Sequence, residues 1–337
     1  PRLHRILIGE YIDDTGQVQP LTLDLPKSVH VLFGGAPGLG KSTLLEAITL
    51  QLATLSDVEL ALIDFGSGTF DGIEPHTRWP LADDGPMATA MIRELTRICE
   101  HRRQLWSSTG ARVRSLEQYN AVTRSNEPFI FCAIDETPMA LDDGNVKQAL
   151  IDLSRYGRKY GIGLGLFGTD FNADTIPTKL RGHCQFRGAA WMERRLLQSI
   201  VGSISDIELI GKPGEIVVRR PGYGPPVKAQ AANVIEADYA LLSSKQPVTK
   251  APLSLVIDDR ESDENCTAMP DIEEIDDPNL PEKERILRLA AAGVPLTHIQ
   301  MRLYQKSGGN YYYRVKRILD GNEETDEADD DSNNNYS

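Results

Sequence analysis

The chain has few cysteines and no long apolar run among its 337 residues. Its four cysteines, Cys99, Cys132, Cys184 and Cys266, form no Cys-x-x-Cys pair, which argues against a disulfide framework or a cysteine-ligated metal. No stretch of 18 apolar residues occurs, and the N-terminus lacks a basic segment followed by an apolar one. We therefore expect a cytoplasmic protein with buried thiols and no membrane association within this chain.

Basic residues are scarce in two segments near the C-terminus, although the net charge is −13 overall. Residues 257–282 carry eleven acidic residues and one arginine, and residues 320–337 carry eight acidic residues and no basic one. Residues 283–319, between them, carry eight basic residues and one acidic residue. Such acidic segments are typical of disorder, so we expect a basic module between an acidic linker and an acidic tail. The acidic segments either screen the module against non-specific DNA or serve solubility.

A glycine-rich segment stands between a strand pattern, Val29–Phe33, and a helix pattern, Thr43–Thr54. This is the context that a phosphate-binding loop requires, because its backbone N–H groups close around phosphate oxygens at a helix N-terminus. Lys41 would reach the outer phosphates of ATP, and the hydroxyl of Ser42 would bind Mg²⁺. The predicted nucleotide-binding residues are Gly35, Ala36, Pro37, Gly38, Leu39, Gly40, Lys41, Ser42 and Thr43.

Two acidic residues, Asp135 and Glu136, end the apolar strand pattern Phe129–Ile134. Ligands of open α/β sheets bind at this end of the strands. We expect Asp135 to hold Mg²⁺ through water and Glu136 to polarise the attacking water as a general base. A plain acidic turn is the alternative for the pair taken alone. The adjacent glutamate favours ATP hydrolysis over phosphate transfer to a metabolite.

A predicted helix ends on three basic residues, Arg155, Arg158 and Lys159. Phosphoryl transfer builds negative charge on the γ-phosphate, which a guanidinium from a neighbouring subunit can stabilise. The same residues are also typical of a solvated helix end, where the dipole favours cations. After the next strand, Thr169 and Asp170 either sense the γ-phosphate or cap a helix.

The order of these segments resembles the FtsK/SpoIIIE family of double-stranded DNA translocases, within the HerA-like ring ATPases. The resemblance spans about residues 28–235. Beyond the phosphate loop and the acidic pair, it rests on Leu62-Ile-Asp64, Arg102-Arg103, Leu116-Glu-Gln-Tyr-Asn120, Gly157-Arg158-Lys-Tyr-Gly161-Ile and Ile210-Gly-Lys-Pro-Gly-Glu-Ile216.

This resemblance implies an ATPase that moves along double-stranded DNA as a homo-hexameric ring. It also implies that Arg158, three residues before the Gly-Ile pair, is an arginine finger acting across the subunit interface. Family members read Ala-Thr-Gln-Arg-Pro after the sensor strand, whereas this chain has Thr169 as its candidate sensor. The alternatives are a conjugation coupling or viral packaging ATPase, or a DNA-binding regulator in which ATP only sets the oligomeric state.

Residues 282–319 read as three short helices separated by glycines, a pattern that resembles a helix-turn-helix. Its expected core is Ile286, Leu287, Leu289, Ile299, Leu303, Val315, Ile318 and Leu319. The residues left for phosphates or base edges are Tyr311, Tyr312, Arg314, Lys316 and Arg317. A basic bundle that docks on protein is the alternative.

Strand patterns that alternate with helices predict an α/β fold, here a RecA-like P-loop NTPase core with a mostly parallel sheet and a small all-α helix-turn-helix module at the C-terminus. We expect the following segments: a β segment leading into the motor at 1–28, the ATPase motor at 29–235, an acidic disordered linker at 236–281, the helix-turn-helix at 282–319 and an acidic disordered tail at 320–337.

Overall fold

The computed structural model of the chain describes residues 4–25, 28–142, 144–169, 171, 175–204, 207–242, 245, 248–253 and 280–292, and six further positions between 299 and 319. The chain divides into two compact units, Pro1–Val256 and Ile257–Ser337. No helix among these described residues is both long enough and apolar enough to cross a membrane.

The first unit is built on one nine-stranded sheet, in the order β2-β1-β9-β8-β7-β3-β6-β5-β4. The strands are β1 (His4–Ile12), β2 (Val18–Leu25), β3 (His30–Gly34), β4 (Val58–Asp64), β5 (Phe129–Asp135), β6 (Ile162–Gly168), β7 (Phe186–Ala190), β8 (Glu215–Arg219) and β9 (Val227–Ala231). The five strands from β7 to β4 run parallel, whereas β8, β9, β1 and β2 continue the sheet with antiparallel pairings.

The expectation of a mostly parallel sheet is therefore only partly right, since the sheet is mixed. Its parallel half coincides with the strands that alternate with long helices. In the antiparallel half, short loops join β1 to β2 and β8 to β9, because an antiparallel pair needs no helical crossover. The N-terminal residues join this half, because Gly9 and Glu10 of β1 pair with β9.

The helices are α1 (Lys41–Ala53), α2 (Gly85–Ser108), α3 (Leu116–Thr123), α4 (Thr137–Ala140), α5 (Gly144–Tyr160), α6 (Thr178–His183), α7 (Arg194–Val201) and, in the second unit, α8 (Glu282–Ala291). Side-chain caps fix the residues at which two of these helices begin. The carboxylate of Asp84 accepts the Met87 N–H at 2.7 Å and caps α2. Ser115 caps α3 in the same way through the Gln118 N–H, at 3.3 Å.

Every residue of β5 and β6 is buried, as expected for central strands of a sheet covered on both faces. The strands β3, β5, β6 and β7 all end at one edge of the sheet, which we call the carboxyl edge; the opposite edge is the amino edge. The phosphate-loop pattern and the acidic pair both follow strands at the carboxyl edge.

In the second unit, the described apolar residues form a small separate core. Ile286, Leu289, Ile299 and Val315 are fully buried, with Leu303, Ile318 and Leu319 packed against them. The expectation for Leu287 is wrong, because this side chain keeps 43% of its surface on the outer face of α8.

Candidate active site

The loop between β3 and α1 has the backbone that its glycines predict. Gly38 and Gly40 have φ of +73° and +87°, left-handed values that cost other residues free energy. Gly40 stands immediately before α1, so Lys41 opens the helix. Gly35 has no room for a side chain, since a methyl group there would lie 2.8 Å from Cβ of Ala190. The loop is thus held against the end of β7 with the N-terminus of α1 open.

Lys41 lies inside this loop. Its ammonium group donates to the carbonyl of Ala36 at 2.9 Å, and the residue is 6% exposed. Burial lowers the pKa of Lys41, and the nearby carboxylates of Glu136 and Asp135 offset part of that effect. The buried ammonium group of Lys41 therefore lies at the same sheet edge as the carboxylates of Asp135 and Glu136. A bound polyphosphate would add further negative charge there.

Asp135 is fixed by hydroxyl groups from the turn that follows the neighbouring strand, β4. Its Oδ2 accepts a hydrogen bond from Thr69 Oγ1 at 2.6 Å, and Ser67 Oγ lies 3.0 Å from the same oxygen. The residue is 3% exposed. A carboxylate that is buried and held in this way presents its remaining lone pairs in one direction, as a metal ligand or second-shell acceptor requires.

Asp64, the partner of Asp135 in the β4–β5 register, shapes the turn that supplies those hydroxyls. Its carboxylate accepts from the backbone N–H of Ser67 at 2.8 Å and of Thr69 at 2.9 Å. It also accepts from Ser67 Oγ at 2.6 Å. Sequence reasoning placed Asp64 at a strand end but missed Ser67 and Thr69 as functional residues.

Glu136 has a strained backbone and a tethered side chain. Its φ and ψ are +59° and +58°, values that few residues other than glycine adopt. Oε1 accepts from the N–H of Thr169 at 3.0 Å and from its hydroxyl at 2.7 Å. Gly168 permits this approach, because a methyl group there would lie 2.7 Å from Pro138 and 3.3 Å from Oε1. The structure therefore brings Glu136 and Thr169 together.

The order of the strands brings these groups to one place. In the parallel half, β6 separates β3 from β5, so Thr169 after β6 lies between the phosphate loop and the acidic pair. Neighbouring strands are about 4.8 Å apart, which puts β3 and β5 roughly 10 Å apart. Lys41, Thr169 and Glu136 thus follow three strands that lie side by side, β3, β6 and β5, at the carboxyl edge.

The three basic residues at the end of α5 lie elsewhere. α5 has 17 residues, about 25 Å of helix, and it runs from the carboxyl edge to the start of β6 at the amino edge. Arg155, Arg158 and Lys159 are all exposed there. They cannot reach the phosphate loop of their own protomer.

Arg102, one of the residues that carries the family resemblance, has a structural role. Its guanidinium donates to the carbonyls of Tyr160 at 2.6 Å and Pro128 at 2.7 Å, and the residue is 2% exposed. Arg103 is exposed and pairs with Glu100 at 2.6 Å. Arg102 therefore anchors the segments that enter β5 and β6.

Asn120 has a similar structural role. Its side-chain Nδ2 donates to the carbonyl of Glu127 at 2.9 Å, and its Oδ1 accepts the N–H of Glu127 at 3.1 Å. The loop that it braces leads into β5. Both features of the resemblance thus shape the sheet that carries the acidic pair.

The predicted DNA contacts lie outside the described residues. They are Tyr311, Tyr312, Arg314, Lys316 and Arg317. The candidate sensor neighbour Asp170 also lies outside them.

Comparison with known proteins agrees with this arrangement. The profile of the FtsK/SpoIIIE family matches residues 7–209. The chain is 27% identical over 225 residues to the DNA translocase SftA of Bacillus subtilis, covering 63% of this chain and 23% of that protein. It is 26% identical over 253 residues to the DNA translocase FtsK of Sporosarcina ureae, covering 69% of this chain and 32% of that protein.

Among solved structures, ATPases 2 and 3 of EssC from Geobacillus thermodenitrificans share the fold, with a TM-score of 0.63 and 17% identity over 72% of this chain and 50% of that one. The chain spans about a quarter to a third of the length of these two curated relatives. The family match covers more than half of the chain, from β1 to the segment before β8. The chain therefore belongs to the FtsK/SpoIIIE family.

Proposed function

We propose that the chain is an ATP-hydrolysing motor that moves along double-stranded DNA. The observation that carries this proposal is the convergence of Lys41, Asp135 and Glu136 at one sheet edge in a member of this family. The curated relatives named above are DNA translocases, which favours this function over conjugation coupling, genome packaging or regulation. Residues 29–235 would form the motor, and the site would operate in the cytoplasm.

The phosphates of ATP would lie against residues 35–43, with Lys41 exchanging its bond to Ala36 for a phosphate oxygen. Mg²⁺ fits the donors present, because the Ser42 hydroxyl has no hydrogen-bond partner among the described residues and Asp135 is a buried, oriented carboxylate. Ser42 and Asp135 would hold the ion. When bound, Mg²⁺ neutralises charge on the phosphate oxygens.

Glu136 would position the attacking water and accept its proton. Thr169 holds Oε1 of Glu136, which leaves Oε2 for that water. The Thr169 hydroxyl can donate either to Glu136 or to a γ-phosphate oxygen. As the sensor, Thr169 would release Glu136 when the phosphate arrives, so that only a loaded site has an active base.

Arg158 would complete the site of the next protomer. Since it lies at the amino edge, about a helix length from its own phosphate loop, it can stabilise a γ-phosphate only across an interface. A closed ring, for which we propose a hexamer, gives every protomer one such neighbour.

Mixing two inactive variants tests this sharing. Arg158→Ala and Glu136→Gln should each abolish turnover alone. A mixed ring contains interfaces where intact Glu136 meets intact Arg158, so mixing should restore about a quarter of wild-type activity at equal amounts if protomers assemble at random. A mixture as inactive as its parts would place Arg158 outside the reaction.

The basic segment 282–319 would be a helix-turn-helix that reads or loads DNA, followed by the acidic tail 320–337. The expectation that a disordered linker begins at residue 236 is wrong, because Glu236–Leu242 form a short 3-10 helix with Leu242 buried and the Tyr239 hydroxyl bonded to Glu46. The acidic tether would therefore lie C-terminal to residue 253. Its charge of eight bases against one acid in residues 283–319 supports a nucleic-acid partner. Replacing both Lys316 and Arg317 by alanine should reduce the salt slope of DNA binding by about two. An unchanged slope would remove these residues from the interface.

Triplex displacement on linear duplex DNA tests the function as a whole. The full chain with Mg²⁺ and ATP should strip a third strand placed far from the duplex end, whereas Glu136→Gln should not. Glu59→Gln, on β4 far from the carboxyl edge, is the matched control and should displace normally. ATP turnover that is slow and independent of DNA length, without displacement, would instead indicate a regulator.

A further inference from the structure

Trp191 is an exposed aromatic residue beside the phosphate loop that the hydrolytic site does not use. It keeps 46% of its surface, whereas Trp79 and Trp106 keep 1% and 5%. It directly follows β7, and its carbonyl accepts the N–H of Ala36 at 3.0 Å. The indole is therefore attached to the first turn of the phosphate loop.

One face of the indole is covered by backbone. A methyl group built on Gly211 would lie 3.6 Å from Cγ of Trp191 and 3.9 Å from both Cδ1 and Cδ2. These distances describe a point above the ring plane, not one at the ring edge. Gly211 has φ of +77°, a conformation suited to glycine, so the chain can pass close to the ring. With Gly211 over one face, Trp191 still keeps 46% of its surface exposed, which is enough for a planar group to contact it.

The segment that carries Gly211 is fixed in place. The buried carboxylate of Glu215 accepts the N–H groups of Ile210 at 2.6 Å and Gly211 at 3.2 Å, and it pairs with Lys228 at 2.5 Å. The Gly214 N–H donates to the carbonyl of Leu39 in the phosphate loop at 3.1 Å. Trp191 and its backing are thus joined to the two ends of the phosphate loop.

The order of the strands gives the direction of a bound nucleotide. The γ-phosphate must face Glu136 after β5 and Thr169 after β6, so the base must leave on the other side of β3. That side is β7, which ends at Ala190, immediately before Trp191. Three strand spacings separate β5 from β7, roughly 14 Å, a span that an extended nucleoside triphosphate covers.

We propose that the indole of Trp191 is the platform on which the purine base of the nucleotide stacks, with Gly211 supporting its rear face. The proposal rests on the proposed function, in that the triphosphate occupies residues 35–43. A stacking platform accepts adenine and guanine alike, because both present a π face. Discrimination between them would have to come from other groups.

Replacement of the indole gives a direct test. Trp191→Ala should weaken binding of ATP and of GTP by about 5- to 100-fold, measured by titration calorimetry with Mg²⁺ on the full chain. Binding of tripolyphosphate, which has no base, should not change. Trp191→Phe should recover most of the affinity, and Tyr223→Ala, which removes another exposed aromatic residue, should bind like the wild type.

Tryptophan fluorescence gives a second readout. Since the other two tryptophans are buried, ATP should quench the exposed Trp191 and tripolyphosphate should not. The platform is refuted, while the phosphate site stands, if Trp191→Ala binds ATP as tightly as the wild type. It is also refuted if the affinity of this variant for tripolyphosphate falls as much as its affinity for ATP. If wild-type protein binds neither ATP nor tripolyphosphate, the proposed function itself fails.

Discussion

The hydroxyl of Thr69 offers the sharpest test of how the acidic pair is organised. Thr69 Oγ1 donates to Oδ2 of Asp135 at 2.6 Å, and both residues are nearly buried. Thr69→Val keeps the shape of the side chain and the backbone N–H bond to Asp64 but removes this donor. Ser67 Oγ, 3.0 Å from the same oxygen, remains as the only hydroxyl on that atom among the described residues.

The size of the effect follows from the charge of the acceptor. A hydrogen bond to an ionised group contributes about 1.5–3 kcal/mol, so the folded protein should lose roughly that much stability. Groups that orient a metal-binding carboxylate typically matter 10- to 100-fold for metal affinity or activity. We therefore expect Thr69→Val to lower kcat/KM for ATP by about 10- to 100-fold and to raise the Mg²⁺ concentration needed for half-maximal turnover.

Thr77→Val is the matched control for this experiment. Thr77 is as buried as Thr69, but its hydroxyl bonds the carbonyls of Glu74 and Trp79, away from Asp135. It should lose stability in urea unfolding while keeping its Mg²⁺ dependence. If Thr69→Val also kept a wild-type Mg²⁺ dependence, the hydroxyl would be a packing feature, and our account of Asp135 would be wrong.

Two further predictions concern the frame of the sheet. Arg102→Met should destabilise the protein by about 2–5 kcal/mol, because it leaves the carbonyls of Tyr160 and Pro128 buried without a donor. Arg103→Met is the control and should leave the midpoint of urea unfolding unchanged. Equal urea midpoints for the two variants would contradict this prediction. Burial, together with the charges of His183 and Arg158, lowers the pKa of His30 to about 4. The unfolded chain then binds a proton that the folded chain excludes, so stability should fall by roughly 3 kcal/mol between pH 6.5 and 4. His30→Leu should lose that part of the pH dependence. If the free energy of unfolding of His30→Leu changed between pH 7.5 and pH 5 as much as that of the wild type, this explanation would be refuted.

The chemistry of the phosphate loop and the acidic pair could be predicted from sequence because each is local. A strand end followed by glycines, Lys41 and a helix start specifies its own backbone, and Asp135 with Glu136 needs only a buried strand before it. The bounds of β5 and α1 agree with their patterns to within two residues.

The partners of these groups depend on which strands are neighbours, and sequence order does not reveal this. Thr69 reaches Asp135 only because β4 lies beside β5, and Trp191 reaches the phosphate loop only because β7 lies beside β3. The sequence of the short strand β9 gave no sign that this strand would pair with β1. Arg102 looks like a surface arginine in a helix pattern, since its burial is set by the segments that enter two distant strands.

Nucleotide turnover by Glu136→Gln tests the central claim most directly. In single-turnover assays with Mg²⁺ and long duplex DNA, this variant should bind ATP with near wild-type affinity and hydrolyse it at least 100-fold more slowly, because the carboxylate that accepts the proton is gone. Hydrolysis at the wild-type rate, with binding intact, would contradict the assignment of this sheet edge as the catalytic centre.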